Sequence, residues 1–410
     1  MESLGAGRWS GPRRHLFRQC LAAGQICVSL ILLAAAGLML RSLWNLQNQP
    51  LGIRPGNVVT AAITLERAAY PTPAARAAFF DRIEKQLRGI PGVAEVAVTD
   101  SLPPDGNTAG AMLYAAIDVQ GRPRAASGTG GLVVSRAITP RYFAALGIPI
   151  LQGRTFLEQD RLAEGRAVIL SDRLARRMFP GENPIGRQIR PGRIGDWLTV
   201  TGVAANVKNS GLEGSDEPEY YVVRKHGPAN MGVSATVLLR GGMPVQAMTR
   251  WVRETVAALD ATLPVTAGTM EQRIGQLAER PRFNALLLAI FAGCGVLLAA
   301  IGLYGVNSFL VVQRAEEIGV RMALGATPGE IRGLVLRQAG IWTAGGAAAG
   351  AMGSLFAVRV LESMLFHVGP RDPWTFAGTT ALLAAVALAA SWIPSRRAAR
   401  LDPMQVLRRE

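Results

Sequence analysis

Apolar residues gather into four long runs, separated by one extended stretch of short alternating elements. Residues 21–40 are 20 positions without a charge, 285–306 are 22, 341–358 are 18 and 375–393 are 19. A helix needs roughly 20 residues to cross about 30 Å of hydrocarbon, so the runs predict four transmembrane helices. Between the first two runs the pattern shortens. Residues 58–65 and 93–99 read as strands, and 73–88 as a helix with Phe79, Phe80, Ile83 and Leu87 on one face. Further strands are predicted at 167–170, 198–207, 219–223, 235–240 and 263–266. Helices are predicted at 140–146, 172–179, 245–259 and 269–280, the last running toward the second apolar run with a kink at Pro281. Segments 101–110 and 121–131 are Pro/Gly/Ser loops. Strands and helices mix without a repeated βαβ period, which predicts an α+β domain.

A polar bridge at 314–338 joins the second and third runs. Glu317 and Arg321 stand at i,i+4 in the favourable order on a helix predicted over 314–324. Gly325 is placed to end that helix as its C′ residue. Thr327-Pro328-Gly329-Glu330 is a capping box with Pro at N1, which starts a second helix leading into the third run. The pattern predicts a helical elbow held at a membrane surface. Within the third run Gly346 and Gly350 form a GxxxG spacing that permits close helix contact. Asp372-Pro373 opens the fourth run as N-cap and N1. Gln25, Asn284 and Asn307 are the polar exceptions in the runs and are expected to hydrogen-bond between helices.

Composition agrees with a membrane chain: 49% of residues are hydrophobic and mean hydropathy is +0.22. The net charge is +15. Thirteen of the 44 basic residues sit at 8–18, 314–337 and 396–409. By the positive-inside rule both termini and the elbow are inside, and residues 41–282 are outside. No aromatic-interleaved basic patch accompanies the charge, which argues against nucleic acid. The 20-residue first run lacks an A-x-A exit and so reads as an uncleaved anchor. Cys20, Cys27 and Cys294 form no CxxC pair, and His15, His226 and His367 are isolated, so no metal or disulfide framework is expected. The acidic stretch from Asp216 to Glu219 reads as a solvated loop. These 410 residues contain no G-x-x-x-x-G-K-[ST] phosphate loop, no G-x-S-x-G and no H-E-x-x-H. Neither catalytic residues nor a cofactor is expected, and any driving ATPase is a separate polypeptide.

The decapeptide Glu317-Ile318-Gly319-Val320-Arg321-Met322-Ala323-Leu324-Gly325-Ala326 resembles the "EIGIR-ALGA" segment of MacB/FtsX-type ABC permeases. In that family the segment is the cytoplasmic coupling element that docks on the ATPase. Residues 138–149, followed by Gly153-Arg154-Thr155-Phe156 and Asp160, are similar to the "SPxYFxxLGIPLLxGRxF…D" block of MacB-like periplasmic core domains. Residues 167–189 and 200–204 extend the likeness, and 394–408 resembles the family's "PARRAARLDPxxALR" ending. The start of the chain is closer to the second half of duplicated acidobacterial-type permeases, which implies a shortened descendant or a fragment.

The resemblance covers about residues 20–410 and implies a type VII permease: a membrane α-helical protein with four transmembrane helices and a large α+β extracytoplasmic MacB-like core. The implied boundaries are a cytoplasmic segment 1–20, spans 21–40, 283–312, 334–358 and 373–393, and an outer domain 41–282. A coupling elbow at 313–333, an outer loop at 359–372 and a tail at 394–410 complete it. The implied coupling residues are Glu317, Ile318, Gly319, Arg321, Leu324, Gly325 and Ala326, with Gly346 and Gly350 packing helices. The implied partners are a MacB-type ATP-binding subunit, a second permease unit in a homo- or heterodimer, and membrane lipids. The implied location is the bacterial inner membrane. The implied function is mechanotransmission for export or efflux; the alternative is a non-transporting FtsX-like regulator or scaffold of an envelope process.

Overall fold

The structure, a computed structural model, describes residues 12–104, 110–123, 131–162, 164–192, 195–212, 214, 217–226, 232–313, 315–324, 326–361 and 372–398. The chain forms two compact units, Gln49–Glu279 and Met1–Asn48 with Arg280–Glu410. It enters through α1 (Pro12–Gln47), which belongs to the second of these.

The Gln49–Glu279 unit is built on a mixed twelve-stranded sheet. First come β1 (Val58–Thr64), α2 (Pro73–Arg88), β2 (Val93–Thr99), β3 (Gly110–Leu113), β4 (Ile117–Val119) and β5 (Leu132–Ile138). Then follow α3 (Tyr142–Leu146), β6 (Ile150–Gly153), β7 (Ala167–Ser171), α4 (Asp172–Met178), β8 (Gln188–Pro191), β9 (Leu198–Ala204) and β10 (Glu219–Val223). The unit closes with β11 (Ser234–Gly241), α5 (Val245–Leu259), β12 (Val265–Thr269) and α6 (Met270–Leu277). The strand order is β12-β1-β11-β2-β5-β10-β7-β9-β8-β4, with β3 on β5 and β6 on β9.

Period-two alternation puts Val59, Ala61 and Ile63 of β1 on one face of the sheet. Phe79, Phe80, Ile83 and Leu87 of α2 and Met248, Val252 and Val256 of α5 cover that face. Thr72 caps α2, its Oγ1 accepting the Ala75 N–H at 3.2 Å. The far end of the sheet packs Leu174, Ala175 and Met178 of α4 on Val168, Leu170, Val200 and Val203. Between these ends β2 and β5 meet at one residue pair, Thr99 and Ile138. Side chains complete the junction: both Asp100 carboxylate oxygens accept the Ala137 N–H at 3.1 Å, and Thr139 Oγ1 accepts the Val98 N–H at 2.9 Å.

Beside this junction lies an ion pair in the core. Arg136 Nε donates to Glu219 Oε1 at 2.5 Å, and both side chains are 1% exposed. Arg136 Nη1 donates to Ser101 Oγ at 2.8 Å, while Glu219 Oε2 accepts from the Tyr221 hydroxyl at 3.0 Å and from Asn209 Nδ2 at 3.3 Å. Burial disfavours the guanidinium charge, but Glu219 beside it outweighs that and holds the proton more tightly than usual. The expectation of a solvated acidic loop is therefore corrected for Glu219. It is the first residue of β10, and the parallel pairing of β10 with β5 carries it inward. Asp216 lies outside the described residues.

The 269–280 helix is also corrected. It stops at Leu277, and a new helix, α7 (Glu279–Gln313), begins after the single intervening residue Ala278. A proline ring clashes with the carbonyl four residues before it. For Pro281 that carbonyl belongs to Leu277, so Pro281 sits in the first turn of α7 rather than at a kink.

The second unit adds α8 (Ala315–Ala323), α9 (Pro328–Leu361) and α10 (Pro373–Ala398) to α1 and α7. Among the described residues three helices are long and apolar enough to cross a membrane: Cys20–Gln47, Glu279–Gln313 and Pro373–Arg397. The remaining expected span, 341–358, lies inside α9, whose 34 residues carry more Gly and Ala. Along α7 the small Ala285, Ala292 and Ala299 turn inward, while Phe283, Ile290, Leu297 and Ile301 are exposed. Large side chains outside and small ones inside is the arrangement expected where hydrocarbon is the solvent.

Candidate functional site

The elbow is stapled from beneath. Ile318 on α8, Ile331 on α9 and Val311 on α7 form a small buried cluster, with Met322 and Ala326 packed against it. The end of α8 is closed by hydrogen bonds from the Ala326 N–H to the Arg321 carbonyl and from the Leu324 N–H to the Val320 carbonyl, each 3.0 Å. The first is a six-to-one bond that turns the chain back over the helix end. Gly325, expected as the C′ residue, lies outside the described residues. One residue past Ala326, both bonds of the capping box form. The Thr327 N–H donates to Glu330 Oε2 at 2.8 Å, and the Glu330 N–H donates to Thr327 Oγ1 at 3.4 Å.

The opposite face of α8 is open. Glu317, Val320, Arg321 and Leu324 are spaced i, i+3, i+4 and i+7, which puts them on one helical face. Glu317 Oε1 and Arg321 Nη2 pair at 2.7 Å, with nearly half of each side chain exposed. Val320 is 46% exposed and Leu324 83%. The seven expected coupling residues thus divide. Glu317, Arg321 and Leu324 face outward, Ile318 and Ala326 join the cluster beneath, Gly319 is interior to α8, and Gly325 falls outside the described residues. Val320 belongs to the outward face and was missed, although its i+3 spacing from Glu317 carried the signal. An ion pair flanked by two exposed aliphatic side chains can dock a protein. Among the described residues no group of three or more His, Cys, Asp or Glu is placed to hold a metal ion.

Above the elbow, the helix contacts depend on missing side chains. A Cβ on Gly346 would stand 2.7 Å from the Ala23 carbonyl oxygen of α1, and one on Gly350 would stand 2.9 Å from the Cys27 carbonyl oxygen. Gly353 continues the seam, with Ile31 Cδ1 at 2.7 Å from the same position. Polar groups tie the other helices. Ser29 Oγ donates to the Gly295 carbonyl at 2.7 Å, and Asn307 Nδ2 donates to Ser391 Oγ at 2.8 Å. Gln25, expected to bond between helices, lies against Gly302. At the start of α10, Asp372 Oδ2 accepts the Thr375 N–H at 3.0 Å and pairs with Arg41 of α1.

Residues 23–269 match the MacB-like periplasmic core domain, and residues 289–403 match the FtsX-like permease C-terminal domain. The chain is 28% identical over 285 residues to a probable syringafactin export ATP-binding/permease protein, SyfD, of Pseudomonas syringae pv. tomato, covering 67% of this chain and 42% of the relative. It is 26% identical over 275 residues to the macrolide export ATP-binding/permease protein MacB 1/2 of Paracoccus denitrificans, covering 66% and 41%. The chain therefore spans about two fifths of the length of these relatives. The ABC transporter permease YknZ of Bacillus subtilis is 24% identical over 351 residues, covering 84% of this chain and 83% of YknZ. Among solved structures, the periplasmic region of MacB from Actinobacillus actinomycetemcomitans is 14% identical, covers 57% of this chain and 98% of that one, and has a TM-score of 0.37. The extracellular domain of YknZ is 16% identical, covers 51% and 100%, and has a TM-score of 0.34. With one domain profile over more than half its length and the second over most of the remainder, the chain belongs to the MacB-type, FtsX-like family of membrane permeases.

Proposed function

We propose that this chain is the permease subunit of an ABC exporter, in which a separate ATPase subunit docks on α8 and drives the Gln49–Glu279 unit on the far side of the membrane. The reading has four crossings, with both termini and the elbow inside, and a second permease unit beside this one. Two nucleotide-binding subunits need two docking elbows, and each chain offers one. Export fits the names of the relatives, which join ATP-binding to permease, while this chain spans about two fifths of their length.

The observation that carries the proposal is the outward face of α8. Its exposed ion pair and two bare aliphatic side chains are held on a helix whose underside is pinned by Ile318 and whose C-terminal end is closed by backbone hydrogen bonds. A force applied there is delivered to the helices rather than absorbed in a loop. α7, directly before the elbow, has 35 residues in one helix, about 52 Å of rod against roughly 30 Å of hydrocarbon. The other helix flanking the sheet unit in sequence, α1, has 36 residues.

Glu317→Ala, Arg321→Ala and Leu324→Ala test the docking role. The ion pair is worth only about 0.2–0.5 kcal/mol to a surface helix, and Leu324 is already 83% exposed. All three variants are expected to reach the membrane at parental levels and to lose association with, or stimulation of, the MacB-type ATP-binding subunit. Parental coupling in all three would remove α8 as the docking element.

A further inference from the structure

α9 and α10 lie side by side, and a groove of about 330 Å³ runs between them. Gly340, Ala344 and Ala347 form one wall, and Ala384 and Leu388 are on the other. Four of these, Gly340, Ala344, Ala384 and Leu388, are exposed, so the groove is open rather than enclosed. On α9 it reaches from Leu336 to Ala347, a rise of about 16 Å. That is about half of the roughly 30 Å hydrocarbon thickness, the depth of one leaflet.

One end of the groove runs into cations. On α10 the i,i+4 ladder Ala384, Leu388, Trp392 continues to Arg396; on α9 the ladder Gly340, Leu336 continues to the half-buried Arg332. The Arg396 guanidinium lies 5.6 Å from the centre of the Trp392 ring, and both residues are exposed. Arg396 has no carboxylate partner among the described residues. Its neighbour Arg397 is engaged elsewhere, donating to the Tyr304 hydroxyl of α7 at 3.2 Å. A tryptophan with a cation at the end of a span marks the headgroup level.

We propose that this groove seats an anionic phospholipid of the cytoplasmic leaflet, one acyl chain lying along Gly340, Ala344, Ala384 and Leu388 and the phosphate resting on Arg396. Charge and length both select this occupant. A phosphodiester supplies an anion for Arg396, which has no carboxylate partner among the described residues, and a single acyl chain matches a groove one leaflet deep. A transmembrane helix of a second copy would extend past both ends of the groove. Which leaflet is involved rests on the orientation proposed above; the groove and its cation do not.

Native mass spectrometry of the full chain in detergent, titrated with dioleoyl phosphatidylglycerol or with dioleoyl phosphatidylcholine, tests the seat. The parent is expected to retain phosphatidylglycerol over phosphatidylcholine. Arg396→Gln should cut phosphatidylglycerol retention about fivefold, the worth of one cation near an anionic surface, and leave phosphatidylcholine unchanged. Ala384→Phe, which fills the groove, should weaken both. Equal retention of phosphatidylglycerol by the parent and both variants would overturn the proposal. Displacement of the lipid by millimolar inorganic phosphate would reassign Arg396 as a free-anion site. High-yield crosslinking of Leu388→Cys between copies would give the groove to a second chain. No ATPase is present in this measurement, so failure of elbow docking leaves its outcome untouched. Labelling of a cysteine at Thr327 reports the orientation separately.

Discussion

At the scale of single residues, charges that pair inside the sheet unit set its response to acid. Asp160 lies beside β6 and is held by Arg154, whose Nη1 and Nη2 donate to its two oxygens at 2.6 and 3.1 Å. Partial burial works to raise the Asp160 pKa, but the Arg154 hydrogen bonds and the Leu157 N–H outweigh it and hold the carboxyl below the ordinary carboxylate value of 3.8. With a depressed folded-state value, the folded chain binds fewer protons than the unfolded chain as acid is added. The stabilisation is therefore present above pH 3.8 and is lost as the pH falls through the depressed value. Asp160→Asn is expected to cost about 1.5–3 kcal/mol at neutral pH, the range for hydrogen bonds to charged groups. In thermal unfolding of the full chain, the gap between parent and variant should close as the pH falls below about 3.8; a constant gap would refute the assignment. Asp160 stood out in the sequence only as part of a family block. Arg136 did not stand out, and Glu219 was read only as the end of a solvated acidic stretch: the two lie 83 residues apart, and a charge in a single sequence reads as solvated until a partner strand is known. Thr327 and Glu330 were legible because a capping box is local, its partners fixed by a spacing of three.

At the scale of elements, the same division between local and distant causes explains what could be read. α2, β2, α5 and β10 carry their own periodicity, and their expected bounds coincide with the observed ones. β3, β4, β5, β6 and β8 were not predicted. Four of them have only three or four residues, too few for a period to show. β5 is longer, but Ser135 and Arg136 interrupt its apolar run, and Arg136 is tolerated there only because β10 brings Glu219 alongside. The close seam between α1 and α9 offers a test at this scale. A methyl group at residue 350 would press on the backbone of Cys27 and on Leu30 Cβ, both 2.9 Å away, whereas nothing lies within 4 Å of the same position at Gly333. Gly350→Ala is expected to destabilise the chain by about 1–3 kcal/mol, the usual cost of overpacking. Gly333→Ala should be neutral or stabilising by up to about 1 kcal/mol through helix propensity. Thermal unfolding in one detergent compares them, and equal midpoints would show that the seam yields without cost.

At the scale of the whole molecule, the number of crossings decides on which side everything lies. Among the described residues three helices meet the length and apolarity of a span, and the 34-residue α9 is the element on which the count turns. With α9 crossing, the elbow and the C-terminal tail share one side. Without it, α10 carries the tail to the opposite side, where Arg396, Arg397, Arg400, Arg408 and Arg409 would have to be translocated. Cationic flanks close to a span resist translocation, so the arginine distribution favours four crossings. Single cysteines at Ala261, Thr327 and Leu401, placed in a chain with Cys20, Cys27 and Cys294 replaced by serine, separate the two arrangements. Leu401 lies outside the described residues, and Ala261 is exposed in the sheet unit. An impermeant maleimide added to intact cells is expected to label Ala261→Cys alone, with Thr327→Cys and Leu401→Cys reacting only after permeabilisation. Labelling at Leu401→Cys but not Thr327→Cys would reduce the count to three and move the Arg396 end of α10 outside. Labelling at Thr327→Cys would place the elbow outside, where no ATP-driven subunit could reach it, and the coupling proposal would fall.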